Sequence, residues 1–374
     1  MKITRIRFLG LKCFITPPFE WPKVESPYGV PDTVMVHGTN GSGKTTLLEG
    51  ISYVWDYIGR AIDKKKDHPE KETTLLRGKT IASVNELKNV RFAGFAVQDF
   101  LLGVEQPTWF IVAKKGDFEE FEERLAGSRY IAVIRTRANK EIIKTDSPLG
   151  QSEILDRLAK VRTAVGDARP VEDFPNMVFV PSEGRILGAR PKAIKIPTDL
   201  STNQWLADYG ERTQPDVASL LYSIRQRDQG QFHEIAKFIN KFLIDKQVTD
   251  LDENGILFVQ YNEPLSVRHS IHELASGEKQ VVLMLAYIHR WLRPGGILLV
   301  DEPDLHLHIR ISSLLVRILR AIAKSRNAQL LFSTHSPELW EEYPSERERI
   351  EMGMSPIQVA SQQDSGEEVA NERP

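Results

Sequence analysis

The stretch Gly38-Thr39-Asn40-Gly41-Ser42-Gly43-Lys44-Thr45 constrains this chain more than any other feature in it. It fits the pattern G-x-x-x-x-G-K-[ST]. Glycines at these places free the backbone to turn successive N–H groups toward one anion. The flanks supply the context that such a loop needs. Val34–Val36 reads as an apolar strand. Thr45–Tyr57 reads as a helix, with Leu47, Leu48, Ile51, Val54, Trp55 and Ile58 recurring at helical spacing. A helix that starts at the loop adds its positive N-terminal end to the anion site. The expected ligand is Mg-ATP: Lys44 reaches the β- and γ-phosphates, Thr45 holds Mg²⁺, and Thr46 completes the loop's set of contacts. The rival reading, a glycine turn without nucleotide, does not account for a strand before the loop and a helix after it.

Three further segments carry candidate chemistry. Ile297–Val300 is an apolar strand that delivers Asp301 and Glu302 at its end. The first carboxylate suits the Mg²⁺ shell, and the second suits a general base for an attacking water. A strand ending in two acids is a weak signal by itself and gains force behind a phosphate loop. Leu274-Ala275-Ser276-Gly277-Glu278-Lys279-Gln280 opens a helix, with Ser276 in the place of an N-cap. Leu331-Phe332-Ser333-Thr334-His335-Ser336 ends a strand in a histidine suited to sensing a γ-phosphate, and Pro337 then starts a helix.

Taken in this order, the four elements resemble the head of ABC-type ATPases. The resemblance implies an α/β fold of the P-loop NTPase kind: a mixed sheet, a strand-rich N-terminal lobe and a helical signature lobe. It also implies that Ser276, Gly277 and Glu278 form a signature that contacts the nucleotide held by another subunit, in a head-to-tail homodimer. By the same likeness Glu302 is the catalytic base and His335 the switch histidine. The long span from Gly38 to Leu274, and Asp301-Glu302-Pro303-Asp304-Leu305-His306-Leu307-His308, are similar to the RecF/SMC-like and OLD-like AAA-family ATPases of bacteria and phages. Ile309 stands where those proteins have proline. Gly10-Leu11-Lys12-Cys13-Phe14 is similar to their N-terminal Asn-Phe-Lys-Ser-Phe segment but departs from it at Gly10, Leu11 and Cys13.

The rest of the chain sets boundaries. Hydrophobic residues at 41% allow a sizeable core, and a net charge of -2 gives no bulk drive toward nucleic acid, so any basic face must be local. Cys13 is the single cysteine, so no disulfide forms within the chain, which fits a cytoplasmic protein. The charged N-terminus does not read as a signal peptide, and no apolar run approaches a membrane span. The expected lobes are 1–185 for the phosphate loop and antiparallel strands, 186–275 mainly helical, 276–344 a return to the nucleotide-binding core, and 345–374 a flexible tail. Within them, Lys115-Gly116-Asp117 reads as a turn, Ser152–Val161 and Trp205–Tyr209 as helical, and Asp63–Lys71 as a charged loop. Lys64-Lys65-Lys66 in that loop is better read as solvated than as a nucleic-acid contact. His306 and His308, two apart, do not face each other on a helix, so a metal pair is disfavoured. A glutamine-loop equivalent is read in the segment Ser182, Glu183, Arg185 rather than at Gln98, which sits inside the early strand-rich region; the segment also reads as a simple proline turn.

The resemblance leaves the driven partner open. The residues after His335 leave no room for the Toprim nuclease domain of OLD proteins, so the expected effector is a separate protein, a nuclease of an anti-phage system by analogy. A RecF-like DNA-binding repair ATPase is the alternative. A transporter subunit fits poorly with the long insertion, and a module using ATP only as dimer glue fits poorly with intact Lys44, Asp301 and Glu302.

Overall fold

The computed structural model describes residues 1–22, 29–67, 73–74, 87–98, 100, 107–125, 128–136, 140–146, 158, 174–182, 205–209, 217–249, 258–261, 267–305, 307, 309–340, 342–343, 345 and 348–353. The chain divides into two compact units, Met1–Ala164 with Leu331–Pro374, and Val165–Leu330. The α/β class with mixed strand directions, expected from the sequence, is what the structure has.

The first unit opens with β1 (Lys2–Leu9), β2 (Phe19–Trp21), β3 (Thr33–Gly38) and α1 (Lys44–Asp67). It continues with β4 (Thr73–Thr74), β5 (Phe92–Gln98), β6 (Thr108–Lys114), α2 (Lys115–Glu122), β7 (Arg129–Arg135) and β8 (Lys140–Asp146). A seven-stranded sheet runs β2-β1-β5-β6-β7-β8-β4. Its pairs are antiparallel except β6 with β7, which are parallel and joined through α2. The alternation of a strand sends neighbouring residues to opposite faces. On one face Phe95 and Phe110 meet Trp55 of α1, with ring centroids 6.5 and 5.0 Å away. On the other, Phe92 and Trp109 meet Phe121 at 4.6 and 5.3 Å. Both faces are covered, so β5, β6 and β7 are almost continuously apolar and buried. The helix that follows the phosphate loop is thereby anchored along its length: Leu47, Leu48, Ile51, Val54, Trp55 and Ile58 are all buried.

The second unit holds β9 (Met177–Val180), β10 (Leu206–Asp208), α3 (Val217–Arg227), α4 (Gln229–Leu243), β11 (Lys246–Val248), β12 (Phe258–Tyr261) and β13 (Arg268–Ser270). After these come α5 (Ser276–Trp291), β14 (Ile297–Val300) and α6 (Ile309–Ser325). β9 pairs in parallel with β10 and with β14. β9 and β14 are wholly buried, as their apolar sequences require. β11, β12 and β13 form a separate antiparallel sheet. Asp228 caps α4 by accepting from the N–H groups of Gly230 and Gln231 at 2.8 and 3.1 Å. β15 (Gln329–Thr334) then carries the chain into the first unit, where α7 (Pro337–Trp340) and β16 (Arg349–Met352) follow. β16 pairs in parallel with β3.

Several local expectations are corrected. Lys115-Gly116-Asp117 is the first turn of α2 and not a loop turn, and Asp117 there receives Arg91 at 2.6 Å. Trp205–Tyr209 is not helical: Leu206–Asp208 form β10, and Trp205 stacks on Phe174 at 5.6 Å. The charged run from Asp63 continues α1 as far as Asp67. Within the presumed tail, Arg349–Met352 form a strand, because Ile350 and Met352 are buried where β16 meets β3. The expected helix Ser152–Val161 lies outside the described residues apart from Leu158, and so do Glu183, Arg185, His306 and His308.

Candidate nucleotide-binding site

The phosphate loop belongs to the first unit. β3 ends at Gly38 and α1 begins at Lys44. Gly38, Gly41 and Gly43 have φ of 152°, 76° and 100°, in the region that disfavours side chains. Two of them also have no room. A Cβ on Gly38 would lie 2.4 Å from the Met352 carbonyl oxygen of β16, and one on Gly43 would lie 2.5 Å from Cys13 Sγ. Thr39, Asn40 and Gly41 are exposed. Lys44 is only 4% exposed, and its Nζ donates to the carbonyls of Gly38 and Thr39 at 3.0 Å each. The ammonium is thus held over the loop. Ser42 Oγ is buried with no hydrogen-bond partner among the described residues. A glycine cradle, a poised cation and an unsatisfied buried hydroxyl fit an anionic phosphate chain, and Thr45 and Thr46 stand on the first turn of α1 beside them.

The supports of this loop were not legible in the sequence. Gly10-Leu11-Lys12-Cys13-Phe14 forms a tight turn, with Gly10 N–H donating to Phe14 O at 2.6 Å. Lys12 reaches Glu49 of α1 at 2.7 Å. Cys13 is wedged against Gly43, and burial pushes its thiol pKa up. On the other side His37 is buried beneath Trp340 of α7, ring centroids 4.6 Å apart, and burial lowers its pKa. That stack ties the loop's strand to the segment that follows the exposed His335. Past His335, Ser336 Oγ donates to Glu338 Oε2 at 2.7 Å.

Gly38→Ala is therefore expected to spoil the cradle. The methyl group meets a backbone carbonyl, and alanine is strained at this φ, at a cost of about 1–3 kcal/mol. Titration with a fluorescent ATP analogue is expected to show at least a roughly tenfold loss of affinity. Unchanged affinity would mean that the loop does not hold phosphate.

The second unit carries the other candidates. Asp301 is fully buried at the end of β14, its N–H donates to Val180 O at 2.8 Å, and its carboxylate accepts from Ser182 Oγ at 2.6 Å. Ser182, from the segment read as a glutamine-loop equivalent, is thus an Asp301 partner across two neighbouring strands. Glu302 has φ 45°, a left-handed conformation unusual for a residue with a side chain.

The signature start departs from expectation in one respect. Ala275, not Ser276, is the N-cap, and Ser276 is the first residue of α5. The reason is Glu278: its carboxylate accepts from Ala275 N–H at 3.0 Å and from Lys246 of β11 at 2.6 Å, so it ties down the helix start that a serine hydroxyl was expected to cap. Glu278 is thus engaged within its own unit, while Ser276 is exposed. Among the described residues, a Cβ on Gly277 would meet Leu307 Cδ2 alone, at 3.9 Å. No group of three or more metal-ligating side chains gathers among the described residues. Among them, too, no helix is long and apolar enough to cross a membrane.

Strand, glycine loop and helix together define a P-loop nucleotide-binding fold. The family described as "AAA domain, putative AbiEii toxin, Type IV TA system" matches residues 34–341. The chain belongs to that family and is a P-loop ATPase of the AAA type. The SMC head domain from Thermotoga maritima is similar at 14% identity and a TM-score of 0.45, over 91% of this chain and 92% of that one. No curated protein matches the chain.

Proposed function

We propose that the chain binds and hydrolyses Mg-ATP as a head-to-tail homodimer and thereby controls a separate effector protein. In this reading Gly38–Thr46 hold the triphosphate. Thr45 and Asp301 would hold Mg²⁺, which when bound neutralises charge on the β- and γ-phosphate oxygens. Glu302 takes the proton of the water that attacks the γ-phosphorus, and His335 hydrogen-bonds the γ-phosphate. Ser276 and Gly277 act on the ATP of the other copy. The sequence-based lobes 1–185, 186–275 and 276–344 are retained as the functional division.

One observation carries the two-subunit part. Glycine in a helix costs about 1 kcal/mol relative to alanine. Gly277 sits in the first turn of α5, and among the described residues a methyl there would meet Leu307 Cδ2 at an ordinary 3.9 Å. The neighbouring Ser276 is exposed. A glycine kept where the fold does not require it supports close approach by something outside the chain, and a phosphate held by a second copy is such a group. The defence reading draws on the family description, which concerns a toxin of a toxin–antitoxin system, and on the sequence analogy to ATPases paired with nucleases.

Gly277→Ala tests this. The variant is expected to melt at the same temperature as the parent or slightly above it, a gain of up to about 1 kcal/mol. Its steady-state ATPase rate is expected to fall roughly tenfold or more, with ATP affinity of the single subunit preserved. A stable variant with full ATPase would remove the case for a signature acting between subunits.

A further inference from the structure

Four large apolar side chains are exposed among the described residues: Ile15, Ile142, Ile244 and Val267. One such residue alone needs no explanation, because folded surfaces carry many apolar atoms. The conformation of Ile244 does need one. It follows the last turn of α4, where Asp245 N–H donates to Leu243 O at 2.6 Å and Ile244 takes φ 58° and ψ -62°. This is the positive-φ γ-turn, which is rare and strained. A β-branched residue suits it least, and glycine would take it without steric cost. The Ile244 side chain is 69% exposed, so burial within its own chain offsets little of that strain.

Strand pairing fixes where Ile244 and Val267 stand. Lys246, two residues past Ile244, lies opposite Tyr261 of β12, and Tyr261 N–H donates to Val267 O at 3.0 Å. Residues opposite one another in an antiparallel ladder share a face, so Lys246, Tyr261 and Val267 share one. On it Lys246 Nζ lies 5.3 Å from the Tyr261 ring centroid and 2.6 Å from Glu278 Oε1. Glu278 in turn holds the start of α5, where Ser276 is exposed. Ile244 and Val267 therefore mark the end of the small sheet that is bonded to the signature start.

Ile15 stands beside the phosphate loop. It follows directly on Phe14, whose ring comes within 3.3 Å of the place a Cβ on Gly43 would take. In a head-to-tail pair the phosphate loop of one copy faces the signature of the other. Three of the four exposed apolar side chains thus adjoin one of the two surfaces that such a pair brings together, and Ile142 on β8 is the exception. An unrelated partner would account for a patch at one of these places. A second copy of the chain accounts for both.

We propose that Ile244 and Val267 of one copy pack against Ile15 of the other and form an apolar contact beside each ATP. The contact rests on the head-to-tail reading above and adds to it the side chains by which the two copies grip each other.

Sedimentation of the Glu302→Gln chain with Mg-ATP tests this, since blocked hydrolysis should hold the pair together. Ile244→Gly in that chain relieves the strained turn while removing the apolar group. It is expected to melt no lower than the parent, to keep the ATP affinity of the single subunit, and to dimerise at least roughly tenfold more weakly. Ile15→Glu and Ile244→Lys are each expected to weaken the dimer by a similar factor. Combined in one chain, they are expected to recover most of it, as side chains that touch across copies should. A parent that stays monomeric with ATP would overturn both the contact and the head-to-tail reading. A parent that dimerises, with variants that dimerise equally well, would overturn the contact alone. So would a charge pair no better than its single members, or an Ile244→Gly chain that melts well below the parent and so needs Ile244 for its own fold.

Discussion

Glu302→Gln is expected to bind ATP normally and to hydrolyse it roughly 10²- to 10⁴-fold more slowly, the range for removing a general base. The amide keeps the shape of the acid and loses its ability to accept the water's proton. Stability should change little, because glutamine meets the same backbone requirement: φ at this position is 45°, a conformation that costs either residue about as much. Asp301, the residue proposed for Mg²⁺, is a separate neighbour, buried and hydrogen-bonded to Ser182, and is unchanged in the variant. With hydrolysis blocked, the ATP-bound dimer should accumulate. Size-exclusion chromatography with light scattering is expected to show a monomer without nucleotide and a dimer with Mg-ATP. A variant that hydrolyses at the parental rate would assign the base elsewhere, and one that stays monomeric with ATP would remove the dimer.

Lys44→Ala is expected to lose ATP before any chemistry can occur. The ammonium is buried and donates to two loop carbonyls, Gly38 and Thr39. Its loss takes away the cation that would meet the β- and γ-phosphates and also two hydrogen bonds that shape the loop. Hydrogen bonds to charged groups are worth about 1.5–3 kcal/mol each, so affinity should fall by roughly 100-fold or more. Calorimetric titration measures this directly, and circular dichroism should show an unchanged fold, because α1 is anchored by Trp55 and its apolar neighbours and not by Lys44.

What the sequence disclosed follows from how local each constraint is. The phosphate loop was legible because glycine spacing, the lysine and the flanking strand and helix all lie within one short segment. β14 and the start of α5 were legible for the same reason. The supports of the loop were not, since each depends on residues distant in sequence. The partner of the acidic strand end was hidden in the same way: Ser182 and Asp301 are 119 positions apart. Nothing in Cys13 announces Gly43 as a neighbour, and nothing in His37 announces Trp340. Short strands are not legible in the sequence either. Leu206–Asp208 has too few residues to show an alternation, and its identity comes from pairing with β9. Arg349–Met352 sits in a polar stretch and is recruited by β3. Serine commonly caps a helix, which points to Ser276 in the sequence, but Glu278 fixes that helix start from three positions past the cap.

The sharing of each site between two copies is tested most directly by mixing two inactive proteins. Lys44→Ala spoils the phosphate loop and Ser276→Arg spoils the exposed signature start, so neither should hydrolyse ATP alone. In a mixed head-to-tail dimer, one site combines both defects and the other has an intact loop facing an intact signature. Equal mixing should therefore restore about a quarter of the parental sites, since about half of the dimers are mixed and each has one good site. Recovery of ATPase on mixing is the expected result. Two proteins that each bind the other and still show no activity would mean that every chain completes its own site.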